Sequence, residues 1–151
     1  MSGAFRPGRY RVRNVGSGLL LEVLEGPKGV GTVVQQGADS GSAAQEWRIE
    51  PVPNGNGLYH FTSVAGGRRL DVSNASTENG ARIQHWRANN YGAQEWTVEH
   101  HLDAPGTVSI VSFVSGLLLE VAGGSGEKGA RIQQWEDTDA PGQQWRLEPC
   151  D

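Results

Sequence analysis

Glu22, Asp71 and Glu120 stand 49 residues apart, each between a leucine and a valine, as Leu21-Glu22-Val23, Leu70-Asp71-Val72 and Leu119-Glu120-Val121. A carboxylate can serve as general base, metal ligand or hydrogen-bond acceptor, and its company decides which. Cleaving a glycosidic bond needs two carboxylates at a defined separation in one cleft; here the acids recur singly. His60, His85, His100 and His101 have no metal-ligand spacing with a carboxylate, and His100-His101 is expected in a solvated loop between repeats. The single cysteine, Cys150, permits neither an intramolecular disulfide nor a Cys-based zinc site. No serine stands in a context that defines a Ser-His-Asp grouping, and no glycine-rich phosphate loop leads into a helix. The inventory points to binding without catalysis, and to no metal or cofactor.

The partner classes narrow in the same way. Thirteen basic against 17 acidic residues give a formal net charge of −4, which leaves no electrostatic footprint for nucleic acid or an anionic membrane. Arg6, Arg9, Arg11 and Arg13 make a small basic start that suits a solvated strand face. The longest strongly apolar run is four or five residues, too short for a spanning helix. Met1–Tyr10 lacks the apolar stretch of a secretory signal. With one cysteine, the expectation is a cytoplasmic protein or one released without a signal peptide.

The elements that position the acids come from an internal repeat. Gln-Glu-Trp at 45–47 and 94–96 and Gln-Gln-Trp at 143–145 keep the 49-residue step, as do Gly31, Gly80 and Gly129, and Gln35, Gln84 and Gln133. Ser17–Val23 recurs unchanged at Ser115–Val121. One domain over 1–151, with copies at about 5–53, 54–102 and 103–151, accounts for nearly the whole chain. Twenty-two glycines, about twice the usual share of roughly 7%, are spread along it and imply many tight turns between short strands. Each copy reads as an alternating strand (Tyr10–Val12, Tyr59–Phe61), a glycine turn, a short apolar strand at 19–23, 68–72 and 117–121, and a third strand at 32–36, 81–86 and 130–135. A fourth strand starts at the Gln-x-Trp. Helix is expected to be nearly absent. Three four-strand units closing on themselves hide their sheet edges. Matched end copies argue against a solenoid with caps, and three copies are too few for a propeller.

Three Gln-x-Trp segments in register, each preceded by Leu-(Asp/Glu)-Val and Gly-x-x-(Val/Ile)-Gln, resemble the ricin-B-type β-trefoil lectins over nearly the full chain. The resemblance implies an all-β trefoil of pseudo-threefold symmetry, a six-stranded barrel capped by three hairpins, with Trp47, Trp96 and Trp145 in the core. It also implies one shallow sugar pocket per repeat. An acid accepts hydrogen bonds from two sugar hydroxyls, and a glutamine thirteen positions later assists. An aromatic two further on stacks on the pyranose, and a loop asparagine completes the set. The chemistry is sound, because charge-assisted bonds are strong and C–H groups suit a flat aromatic face.

Carried over residue by residue, the second repeat has Asp71, Gln84 and Trp86, followed by Asn89 and Asn90, and departs only in Ala93, where several members carry asparagine. The third has Glu120, Gln133 and Trp135, with Asp137 and Asp139 in its loop and Gly142 before the Gln-x-Trp. The first keeps Glu22 and Gln35, but Gly37 replaces the aromatic, so it is the weakest candidate. Trp86 and Trp135 are extra to the core set, and Gly37 indicates that the fold does not need them. The resemblance implies glycan partners of the galactose or N-acetylgalactosamine type. The alternative is a trefoil that binds protein, such as a protease inhibitor or a cytoskeletal module, which would not require the acid-Gln-aromatic set twice. The glycan, the number of live sites and the choice between monomer and homodimer stay open.

Overall fold

The computed structural model describes residues 6–24 and 33–150; Gly31, one of the repeated glycines, lies outside them. The first set of strands is β1 (Gly8–Asn14), β2 (Leu20–Val23), β3 (Val34–Gly37) and β4 (Trp47–Pro51). The second is β5 (Tyr59–Ser63), β6 (Arg69–Val72), β7 (Ile83–Trp86) and β8 (Trp96–His100). The third is β9 (Val108–Ser112), β10 (Leu118–Val121), β11 (Ile132–Trp135) and β12 (Trp145–Pro149). Among the described residues the only helical pieces are 3₁₀ turns of three residues.

Antiparallel pairing links β1 to β4, β4 to β5, β5 to β8, β8 to β9, β9 to β12 and β12 back to β1. That ring is a closed six-stranded barrel, and closure removes the barrel's exposed edges. The hairpins β2–β3, β6–β7 and β10–β11 hang from it through β1, β5 and β9. The architecture is the β-trefoil that the resemblance implies.

Alternation builds the core. Val12, Ile49, Phe61 and Ile110 point inward from the barrel and are fully buried. The hairpins add Leu21, Leu70, Leu119, Ile83 and Ile132. Trp47, Trp96 and Trp145 fill the space between the two layers at 0% exposure. Each indole buries enough area to contribute about 4–6 kcal/mol before entropy is counted. Each also donates its N–H to a backbone carbonyl 26 residues earlier: Leu21 at 3.0 Å, Leu70 at 3.1 Å and Leu119 at 3.0 Å.

Two local expectations need correction. The fourth strand of each copy starts at the tryptophan, two residues later than expected. Gln45, Gln94 and Gln143 close 3₁₀ turns instead, whose chain direction is set by the bonds Glu46 N–H to Ala43, Glu95 N–H to Gly92 and Gln144 N–H to Pro141. His101 is also not simply solvated. It is half-buried, with Nδ1 2.7 Å from Thr107 Oγ1 and Nε2 2.8 Å from Ser109 Oγ. Thr107 spends its hydroxyl proton on the Ala104 carbonyl, so it accepts from Nδ1–H while Ser109 donates to Nε2. The imidazole staples the turn between β8 and β9.

The repeats lock together through the residue between the glutamine and the aromatic of each third strand. Gln36 donates to the Ser125 and Glu127 carbonyls, and Gln134 to those of Ser76 and Glu78, all at 2.9 Å. His85 holds the equivalent place and meets the Leu24 carbonyl at 3.3 Å.

The indole bonds make a direct prediction. Trp96→Phe keeps most of the apolar volume but strands the buried Leu70 carbonyl, so urea unfolding should show a loss of about 2–4 kcal/mol. A loss below about 1 kcal/mol would mean the bond is dispensable.

Candidate functional site

The short hairpin β6–β7 places the acid and its glutamine directly opposite each other. Asp71 pairs with Gln84 and Arg69 with Trp86. Gln84 and Trp86, two apart on one strand, share a face, so carboxylate, amide and indole gather on one side of the hairpin. The other hairpins have the same register, with Glu22 opposite Gln35 and Glu120 opposite Gln133. In each, the glutamine donates its Nε2–H to the acid: 2.8 Å to Glu22 Oε2, 3.2 Å to Asp71 Oδ1 and 2.7 Å to Glu120 Oε2. The shorter aspartate arm holds its glutamine more loosely than either glutamate does.

The second carboxylate oxygen is held by a residue not foreseen in the site, the glutamine of Gln-x-Trp. Gln45, Gln94 and Gln143 donate to Glu22 Oε1, Asp71 Oδ2 and Glu120 Oε1 at 2.9, 2.9 and 3.0 Å. The same Nε2 also donates to the carbonyls of Ala38, Arg87 and Glu136. Its Oε1 accepts from the loop N–H of Ser40, Asn89 and Thr138. Each of these glutamines is fully or almost fully buried, and an amide so buried must be satisfied. Here it is satisfied by fixing both the acid and the loop that faces it. The available signal was its constant distance of 23 residues from the acid.

In the second repeat these groups open onto a pocket of about 400 Å³ whose lining includes Asp71, Gln84, Trp86 and Asn89. Asp71 is 5% exposed, whereas the Trp86 ring, on the same hairpin, is 39% exposed. Burial raises the Asp71 pKa above its ordinary value, and the bonds from Gln94 and Gln84 pull it part of the way back. A carboxylate offers about four lone-pair positions; two are taken by glutamines, which leaves acceptor capacity toward the pocket. Asn89 spends its Oδ1 on the Tyr91 N–H, which leaves its amide N–H groups available. Asn90 is exposed and lies outside the lining. Ser73, Asn74, Ala75, Tyr91 and Ala93 complete the wall. Asn74 and Ala75 stand at φ 58° and 50°, a left-handed pair that the third repeat builds from Gly123 and Gly124. Only that Gly-Gly hinted at such a turn in the sequence.

The third repeat forms a pocket of about 320 Å³ with Glu120, Gln133, Trp135, Gly123, Gly124 and Thr138. Arg131 Nη2 donates to Gln133 Oε1 at 3.2 Å and orients that amide. Asp137 and Asp139 fall outside this pocket and line a smaller neighbouring one of about 110 Å³. In the first repeat the Glu22 carboxylate lies against Gly37: a Cβ there would sit 2.3–2.4 Å from its Cδ and both oxygens. The carboxylate fills the space from which an aromatic would rise. Among the described residues no group of three or more His, Cys, Asp or Glu side chains could hold a metal ion.

Comparison with known proteins agrees with this fold. A family model described as "Ricin-type beta-trefoil lectin domain-like" fits residues 4–86 and 92–151. No curated protein matches the sequence. Among solved structures, the chain is similar to ThreeFoil, a designed threefold-symmetric protein, at 31% identity and TM-score 0.88, over 95% of this chain and 99% of that one. It is similar to an exo-β-1,3-galactanase from Clostridium thermocellum at 33% identity and TM-score 0.87, over 95% of this chain but 30% of that one. A ricin B-like lectin of Macrolepiota procera, solved with lactose, shares the fold at TM-score 0.82 and 16% identity, over 99% and 100% of the two chains.

The raised Asp71 pKa gives a pH signature. A carboxyl whose folded pKa lies above its unfolded value destabilises the folded state when ionised. Its stability contribution is therefore full below the unfolded value and lost as pH rises through the folded one. Asp71→Asn keeps the shape, and Gln84 can turn its amide to pair with it. The variant should unfold within about 1 kcal/mol of wild type at pH 7, or above it. As pH falls toward 4, the wild type should gain on the variant in denaturation curves. A difference independent of pH would show that Asp71 titrates normally.

Proposed function

Because the chain belongs to the ricin-type β-trefoil lectin domain-like family, we propose that it is a carbohydrate-binding protein whose principal pocket is that of the second repeat, with a second in the third repeat. The observation that carries this reading is the buried, doubly tethered Asp71 on the same hairpin as the half-exposed Trp86. Burying a carboxylate and exposing an indole both cost stability. Side by side they suit one ligand: a pyranose whose vicinal hydroxyls donate to Asp71 and whose C–H face lies on Trp86. Gln84 and Asn89 supply amide N–H donors to further hydroxyl oxygens. Glu120, Gln133 and Trp135 do the same in the third repeat. Glu22 and Gln35 lack a platform and bind weakly or not at all.

The ligand class is galactose or N-acetylgalactosamine. The likeness to part of an exo-β-1,3-galactanase supports it, as does the family pattern. Each pocket lining holds one carboxylate, where hydrolysis needs two, so binding without catalysis is the reading. A single shallow pocket holds a monosaccharide at about the millimolar level, near −4 kcal/mol. Two pockets on one rigid body raise avidity for a multivalent glycan surface when both can engage at once.

A glycan array comparing wild type, Trp86→Ala and Trp135→Ala tests this. Trp86→Ala should lose about tenfold or more in affinity for the best ligands, and Trp135→Ala less, with circular dichroism unchanged. An array that stays flat for folded wild type would favour a protein-binding trefoil instead.

A further inference from the structure

The second repeat carries aromatic surface that its pocket does not account for. Tyr91 and Phe113 are 72% and 59% exposed. Tyr91 lines the Asp71 pocket. Phe113 comes from the turn after β9, in the next repeat, yet both are fixed to the same 3₁₀ turn, Gly92–Gln94. Tyr91 immediately precedes that turn and receives Asn89 Oδ1 on its N–H at 3.0 Å. Phe113 N–H donates to the Glu95 carbonyl at 3.0 Å. The Phe113 ring lies directly over Gly92: a Cβ there would stand 2.9 Å from Phe113 Cδ2. The ring therefore packs on the residue that follows Tyr91, and Tyr91 is itself part of the pocket wall.

The other two repeats do not do this. Their equivalent residues are Ser42, Ala43 and Val64 in one set, and Ala140, Pro141 and Val15 in the other. The same backbone bond is kept there, from Val64 N–H to Glu46 and from Val15 N–H to Gln144. Valine thus serves the turn, and the benzyl ring is not required by it. Among the described residues, only the second repeat combines two exposed aromatics with a glycine against which one of them packs. It is also the repeat with the most exposed pocket tryptophan.

We propose that Tyr91 and Phe113 form a second subsite continuous with the Asp71–Trp86 pocket, so that the second repeat recognises an oligosaccharide of at least two pyranose rings rather than a terminal monosaccharide alone. The inference rests on the carbohydrate-binding reading of that pocket. The first ring lies on Trp86 with its hydroxyls on Asp71; the glycosidic bond passes Tyr91; the next ring presents its C–H face to Phe113. Loop and turn are held by the bonds at the Tyr91 and Phe113 N–H groups, and the Phe113 ring packs on Gly92, so the ordering cost added on binding is small. The third repeat, with Ala140 and Val15 in these places, stops at one ring.

The test uses the full chain with Trp135→Ala, so that only the second repeat is read. Titration calorimetry compares galactose with β-1,3-galactobiose, or the terminal monosaccharide and the parent oligosaccharide of the best array hit. The oligosaccharide should bind several-fold more tightly. Phe113→Val, which installs the residue that Val64 shows the turn accepts, should lower oligosaccharide affinity about fivefold and leave the monosaccharide unchanged, while Phe113→Tyr retains both. If Phe113→Val changes neither affinity, or lowers both equally, the subsite is overturned while Trp86→Ala still reports on the pocket. If no sugar binds the folded protein, the carbohydrate reading fails and the subsite with it.

Discussion

Each third of this molecule hangs on one two-part clamp. A buried indole donates to the carbonyl of the leucine just before the acid, 26 residues back. The glutamine two residues ahead of that indole donates to the acid's own side chain. The core tryptophan fixes the backbone of the strand, and the glutamine fixes the group that the strand presents. Because both come from one short segment, the acid cannot shift without disturbing the core. Pre-organisation of this kind is what a weak, shallow binding site needs, since little ligand energy is available to order the protein.

The frame was legible because it is repeated. A spacing of 49 residues at tryptophan, glutamine, glycine and the Leu-acid-Val segments makes chance identity implausible, and the strands follow from alternation between turn glycines. The acid, glutamine and aromatic of the second and third repeats do come together, because they occupy facing places in one hairpin register. The Gln-x-Trp glutamines were hidden for a physical reason. Their work depends on a 3₁₀ turn that reverses the chain toward the acid, and no strand periodicity encodes that turn. The left-handed Asn74–Ala75 pair was hidden too, since only its Gly123–Gly124 counterpart carries a visible glycine signature. Asn90, next to Asn89 in sequence, is exposed and outside the pocket lining, whereas Asn89 is tied by its backbone N–H to Gln94.

Symmetry separates what the fold requires from what it merely carries. Positions that keep their chemical type in all three repeats build the barrel, the clamp and the acid–glutamine pair. Positions that change sharply in size include Gly37, Trp86 and Trp135 on the third strands, and Val15, Val64 and Phe113 on the turns. The first repeat forms the same hairpin register with a glycine and a carboxylate packed against it, so a tryptophan at that place is not a packing requirement.

The energetics point the same way. Glu22 and Asp71 each have a glutamine on both oxygens, but Asp71, the most buried of the three acids, is held by its hairpin glutamine at the longest distance of the three. Its raised pKa means that the folded state is strained by the charge it keeps. A chain under selection for stability alone would relieve that strain with asparagine, or shield Trp86 and Tyr91 from water. Natural proteins retain a strained, partly satisfied charge beside exposed aromatic surface where a ligand completes the arrangement. The second repeat departs from its siblings at Asp71, at Tyr91 and Gly92, and through Phe113, the neighbouring turn that faces it. His85, in the place of Gln36 and Gln134, departs at the contact between repeats, but the others cluster on one pocket and its neighbouring turn, which is the distribution expected if one repeat of a near-symmetric scaffold has been shaped for a particular ligand.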